Sequence, residues 1–137
     1  VEILKYFKAY EESMAIMEIR KSANLLRKIW SLGNEYLQTS APWTVIKQNP
    51  EEAGKIVRFG FNLLNFYSDI SKPFIPVTCQ KIKSCLKISY NENEWPENRE
   101  LVFSNLKGGE SFLVIENLFS KIDDDKIREL QIKFGGN

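Results

Sequence analysis

Few residues in this 137-residue chain have types suited to chemistry, and their kinds narrow the choice. There is no histidine, so imidazole acid–base catalysis and the commonest partner of a nucleophile are absent. Two cysteines, Cys79 and Cys85, lie six residues apart. On a helix that spacing points the thiols to different faces, and it fits neither a CxxC pair nor a zinc knuckle. Both read as reduced, mostly buried thiols of a cytosolic protein. Lys107-Gly108-Gly109 lacks the spacing and the preceding strand of a phosphate loop. No catalytic or metal-binding set emerges. One aromatic stands out instead. Trp43 follows Pro42 at once, in the stretch "GNEYLQTSAPW" from Gly33 to Trp43, at the corner between two helical patterns. A tryptophan there is either a plug filling the gap between helices or a side chain presented outward.

The elements that must hold this corner are helical. Residues 1–17 carry Ile3, Phe7, Tyr10, Met14 and Met17 at alternating steps of four and three. Residues 18–38 carry a wide apolar stripe that includes Leu26, Trp30, Gly33 and Leu37, with Arg20, Arg27, Lys28 and Ser31 opposite; Trp30 is expected to be buried. A short helix over 41–48 follows, with Ser40 as its cap and Pro42 early, where a missing N–H costs little. Asn49-Pro50-Glu51-Glu52 is a strong helix start. The helix it opens runs to about residue 71, with Ile56, Gly60, Leu63 and Tyr67 inward and Lys55, Arg58, Asn62, Asn65 and Asp69 outward. A further helix over 73–88 turns Cys79, Ile82 and Leu86 in and Lys83 and Lys87 out. Beyond Tyr90 the texture changes. "YNENEWPENRE" is an acidic connector that Trp95 anchors to the bundle, "ELVFSNL" gives one or two helical turns, and "SFLVIENLF" a short strand or extended piece. "DDDKIRELQIKF" is a final helix with Ile127, Leu130 and Phe134 on one face, stopped by Gly135-Gly136.

Composition supports one compact core: 43% hydrophobic and 27% charged, with a net charge of +1. No apolar run is long enough to span a bilayer, and no signal peptide is present. The first residue is Val, which suggests a chain cut from something longer. From Trp43 to Ile88 there are seven Lys/Arg against three Asp/Glu, net +4; from Asn91 onward six against ten, net −4. The middle helices are the part that would face a polyanion, although solvated helix faces carry such imbalances too.

The order of these elements resembles the anticodon-binding helical domain of methionyl-tRNA synthetase, a class I aminoacyl-tRNA synthetase. The resemblance rests on a helix ending in GN-x-Y-[LI]-Q, the Pro42-Trp43 corner with Lys47 after it, a long helix after an acidic start, and the Pro73-Phe74-Ile75-Pro76 turn. "LFSKIDDDKIRELQIKFGG" is similar to the C-terminal segment of the eukaryotic and archaeal type. The similarity runs from about residue 19 to residue 136 and is weakest over 90–107. It implies an all-α bundle over residues 1–88, with an extension over 89–137 whose extended segment and terminal helix pack on it. It also implies binding of tRNA(Met) through the CAU anticodon loop, with no DNA or membrane partner, in the cytoplasm.

In that family the Trp after the Pro reads the anticodon. RNA loops are read through unstacked bases that stack on aromatics, worth roughly 1–3 kcal/mol per base, and Pro42 lowers the ordering cost. Backbone groups at the start of the short helix are further candidates for base edges or phosphate. Lys47 is either a phosphate contact or a solvated lysine. Asn34 is a second candidate, or a hydrogen bond at the helix corner; Tyr36 is packing. The family's catalytic domain, which uses ATP with Mg and methionine, has no counterpart here, nor has its zinc knuckle. An Asn-x-x-Asn-Arg motif that shares in anticodon reading is missing as well. The chain would thus be part of a methionine–tRNA ligase, inactive alone and without a cofactor of its own. Two other readings remain: a stand-alone helical module that binds protein, and an all-α domain without nucleic-acid binding.

Overall fold

The computed structural model describes residues 2–93, 95–97, 103–114 and 117–135, and it is all helix and irregular chain. Among the described residues six helices follow in order: α1 (Glu2–Ala15), α2 (Ile19–Ser40), α3 (Pro42–Val45), α4 (Pro50–Ile70), α5 (Pro76–Cys85) and α6 (Asp124–Phe134). Among the described residues there is no strand; 111–114 is irregular chain. The turns assigned to 100–106 lie partly outside the described residues, as do Ile115, Glu116 and Gly136.

α1 and α2 form a helical hairpin through a left-handed Met17 (φ 61°). It is sewn together by the buried Ser13 and Ser22 hydroxyls, 2.7 Å apart. The apolar stripe of α1 meets α4. Phe7 sits edge-on to Phe66 at 5.1 Å, and the Tyr10 hydroxyl donates to the Ile70 carbonyl at 2.9 Å. Tyr10 has no exposed surface, and burial pushes its phenol up to about 12.

α2 crosses α4 through two glycines. Gly33 faces the Tyr67 ring so closely that an added Cβ would collide with the hydroxyl, and Gly60 faces Leu37 in return, 3.2 Å from where its own Cβ would be. The Tyr67 hydroxyl donates to the Ile29 carbonyl at 3.1 Å, and Trp30 stacks on Tyr67 at 4.9 Å. Trp30 is therefore half-buried rather than buried, with its Nε1 donating to Ser71 Oγ at 3.1 Å.

The outward face assigned to α4 is correct at Lys55 and Arg58 and wrong at Asn62, Asn65 and Asp69, which are buried. The cause is polar pairing that periodicity does not show. Asn62 mimics a backbone, donating to the Leu106 carbonyl at 3.2 Å and accepting from the Leu106 N–H at 2.8 Å. Lys83, assigned to solvent, is 2% exposed. It donates to Asn65 Oδ1 at 2.6 Å and lies 2.9 Å from Asp69 Oδ1, which also faces Lys72 at 3.2 Å. Two cations thus share one carboxylate. Lys72 also donates to the Asn91 carbonyl at 2.6 Å and sits 5.4 Å over Tyr90.

The connector anchors as the sequence suggests. Trp95 Nε1 donates to Glu11 at 2.9 Å, and its ring stacks on Tyr10. Farther on, Phe112 packs on Phe61, and the Leu113 N–H donates to the Cys85 carbonyl at 2.8 Å. α5 begins at the second proline of the Pro73–Pro76 turn, not the first. α6 starts where the acids indicate, with Asp123 accepting from the Lys126 N–H. None of its residues is buried; of its expected apolar face, Ile127 and Phe134 are exposed and Leu130 is half-buried.

Gly33→Ala should cost about 1–3 kcal/mol by overpacking in urea denaturation, and adding Tyr67→Phe should return part of it; an unchanged midpoint contradicts the close crossing. Asp69→Asn removes the carboxylate that two buried cations share and should cost about 3–5 kcal/mol. Lys83→Met should cost less, because Lys72 then balances Asp69; the reverse order contradicts the sharing of one carboxylate by two cations.

Candidate nucleic-acid interface

The corner is built by one residue in an uncommon backbone state. α2 does not end at Gln38 but runs to Ser40, so Ser40 closes one helix instead of capping the next. Ala41 reverses the chain at φ 39°, ψ 60°, in the left-handed region, which costs an L-residue roughly 1–2 kcal/mol. Its N–H reaches back to the Leu37 carbonyl at 3.0 Å, and its carbonyl accepts from Thr44 at 2.8 Å and Val45 at 3.1 Å. Ala41 thus caps both helices. Pro42 fixes the next φ and opens α3. Asn49 accepts from the Glu52 N–H at 3.1 Å and starts α4 as its sequence indicates.

Trp43 is 55% exposed, and among the described residues its ring has no aromatic partner and its indole no acceptor. It is not a plug between helices. Ile46 beside it is equally exposed. Pro42 is half-buried, and Lys47 is exposed without a carboxylate partner among the described residues. Pro42, Trp43 and Lys47 therefore share one corner.

Asn34 stands apart from them. It lies within α2, about 10 Å before Ala41 at 1.5 Å per residue, exposed and making no hydrogen bond through its side chain among the described residues. The corner hydrogen bond expected of it does not form, because the helix continues past it. Asn34 instead borders a groove of about 640 Å³ between α2, α4 and the turn after α4, walled by Trp30, Leu37, Leu64, Phe74 and Phe119. Sequence reasoning missed this groove; its signal is the pair of glycines on facing apolar stripes. Tyr36 packs edge-on to Phe59 at 4.8 Å, as expected.

Nothing at the corner resembles a catalytic set. Both cysteines are free thiols; burial pushes Cys79 up to about 11, so it stays protonated at neutral pH, and Cys85 is half-buried. Among the described residues no group of three potential ligands could hold a metal ion, and no helix is long and apolar enough to cross a membrane.

An all-α bundle that holds an exposed indole at its tip, on a backbone set by Ala41 and Pro42, has the form of a binding domain. The chain belongs to the family described as the anticodon binding domain of methionyl tRNA ligase, whose model matches residues 1–137. It is 44% identical over 128 residues to a methionine–tRNA ligase of Ruegeria sp. (strain TM1040), covering 93% of this chain and 22% of that protein. It is 40% identical over 135 residues to one from Cereibacter sphaeroides (strain ATCC 17025 / ATH 2.4.3), covering 98% and 23%. It is 44% identical over 126 residues to one from Caulobacter vibrioides, covering 91% and 22%. The chain therefore spans under a quarter of the length of these relatives. They are bacterial, so a tail similar to the eukaryotic and archaeal type does not by itself mark the lineage; a helix stopped by glycine recurs widely.

Ala41→Gly tests the corner. It should hold or raise stability, within about 1 kcal/mol, because glycine adopts positive φ without strain, whereas Ala41→Val should destabilise. Equal losses in urea denaturation would contradict a strained Ala41.

Proposed function

We propose that this chain recognises the CAU anticodon loop of tRNA(Met) as part of a methionine–tRNA ligase, with Trp43 stacking on an unstacked anticodon base. The observation that carries the reading is the indole itself: a 55% exposed tryptophan on a backbone fixed by Ala41 and Pro42. Such a side chain loses little freedom on binding, and a base stacked on its face keeps its Watson–Crick edge open to polar groups that read it. Pro42 braces the ring, Lys47 supplies a cation for a nearby phosphate, and Asn34 offers an amide to a base edge. The family and the relatives support tRNA as the partner. In this reading the remainder of the ligase binds methionine and ATP with Mg, and the chain works beside that catalytic domain in the cytoplasm.

A stand-alone protein-interaction module is the second reading. It draws on the exposed Val114, Ile132 and Phe134 of the tail. A reading frame that continues upstream into a catalytic domain removes it.

Trp43→Ala in the full-length ligase separates binding from chemistry. Loss of one stack worth roughly 1–3 kcal/mol should lower kcat/KM for charging a CAU tRNA by about 5- to 150-fold. Methionine activation, followed by pyrophosphate exchange, should be unchanged. Equal loss in both contradicts the anticodon role and indicates misfolding.

A further inference from the structure

α2 carries a feature that the corner does not use. Arg20, Asn24, Arg27, Ser31, Asn34 and Gln38 recur at alternating steps of four and three, so they form one stripe along the helix. All six are exposed. From Arg20 to Gln38 the stripe is about 27 Å long at 1.5 Å per residue.

Its positive charge is not answered locally. No carboxylate occurs between Glu18 and Glu35. On other helices several exposed lysines are met about one turn away: Lys8 by Glu12, Lys55 by Glu51, Lys126 by Glu129. The other two cations of α2 are also engaged, Lys21 with Glu18 at 2.7 Å and Lys28 over the Tyr6 ring at 5.9 Å. Arg20 and Arg27 have no carboxylate partner among the described residues. Arginine, with a planar fork of donors, is the cation best shaped for phosphate.

The stripe is also continuous with the corner. Its Arg27, Ser31 and Asn34 border the groove, and its C-terminal end leads through Ala41 to Trp43. The Ser31 hydroxyl is turned back to the Arg27 carbonyl at 2.9 Å, which leaves the two guanidiniums as the charged contacts. Arg27 lies about 21 Å from Ala41 along the helix, the rise of about six stacked nucleotides at 3.4 Å each. That distance reaches beyond a triplet.

We propose that the Arg20–Arg27 stripe of α2 is a track for the sugar–phosphate backbone of the anticodon stem, contacting phosphates without reading sequence. The proposal rests on the reading of Trp43 as the base contact. It assigns affinity to α2 and selectivity to the corner.

The test is a titration of the full-length ligase with two RNA hairpins, one carrying CAU and one another triplet, between about 50 and 200 mM salt, the range over which phosphate contacts are salt-sensitive. Arg20→Gln/Arg27→Gln should weaken both hairpins by the same factor, on the order of tenfold or more at about 0.1 M salt. It should also flatten the slope of log K against log salt by about 1.4–1.8, the release expected for two phosphates. The preference for CAU should survive. Lys8→Gln, at a paired lysine on α1, should leave the slope alone. Trp43→Ala should remove the CAU preference and keep the slope. An unchanged slope in the double arginine variant overturns the stripe, and with a Trp43-dependent CAU preference intact it leaves the corner reading standing. A flattened slope with no effect of Trp43→Ala overturns the corner reading instead. Absence of binding to either hairpin by the unsubstituted full-length ligase overturns both.

Discussion

The close approach of α2 and α4 sets the geometry of everything at the tip of the bundle. Gly33 leaves room for Tyr67 and Gly60 leaves room for Leu37, so each helix offers a gap to a large side chain of the other. The Tyr67 hydroxyl, deep in the contact, is satisfied by the Ile29 carbonyl, and burial holds it protonated well above the ordinary phenol range. With the two long helices locked at this contact, the segment from Ala41 to Asn49 has little freedom in how it joins them. The left-handed turn at Ala41 is the form that closure takes, and it directs Trp43 away from the core.

The same helix α4 ties the later chain to the bundle by polar means. Asn62 holds Leu106 by a two-way amide contact, and Asp69 gathers Lys72 and Lys83 on either side of the turn into α5. Buried charge of this kind is weak evidence of stability, since apolar replacements often do as well. Its value here is directional: Asp69, Asn65 and Lys83 fit together in one register of α5 against α4. α6, none of whose residues is buried, presents Ile127, Ile132 and Phe134 to solvent.

Helix number and order were legible because the signals are local: stripes at steps of three and four, Asn49-Pro50 and Asp123 as caps, and prolines as breaks. Burial of the polar face of α4 was not. Asn62, Asn65, Asp69 and Lys83 look like solvated positions until their partners, up to 44 residues away, are brought beside them. The Pro42-Trp43 corner was legible because proline restricts the backbone whatever surrounds it. The role of Ser40 was not, since its capping assignment depended on α2 ending two residues earlier. Asn34 was judged by its nearness in sequence to the corner; in the helix it sits two turns away and borders the groove instead.

A rigid crossing, a strained alanine and an exposed indole act together: in the proposed function, the bundle orders Trp43 in advance for a base to stack on it. The most direct test is a titration of the chain against CAU and non-CAU anticodon hairpins at fixed low salt, followed by tryptophan fluorescence and amide chemical shifts. A CAU-selective perturbation centred on Trp43, extending to Asn34 on α2, is the expected result. Equal shifts with both hairpins, or shifts that leave Trp43 untouched, would contradict advance ordering of Trp43 for an anticodon base.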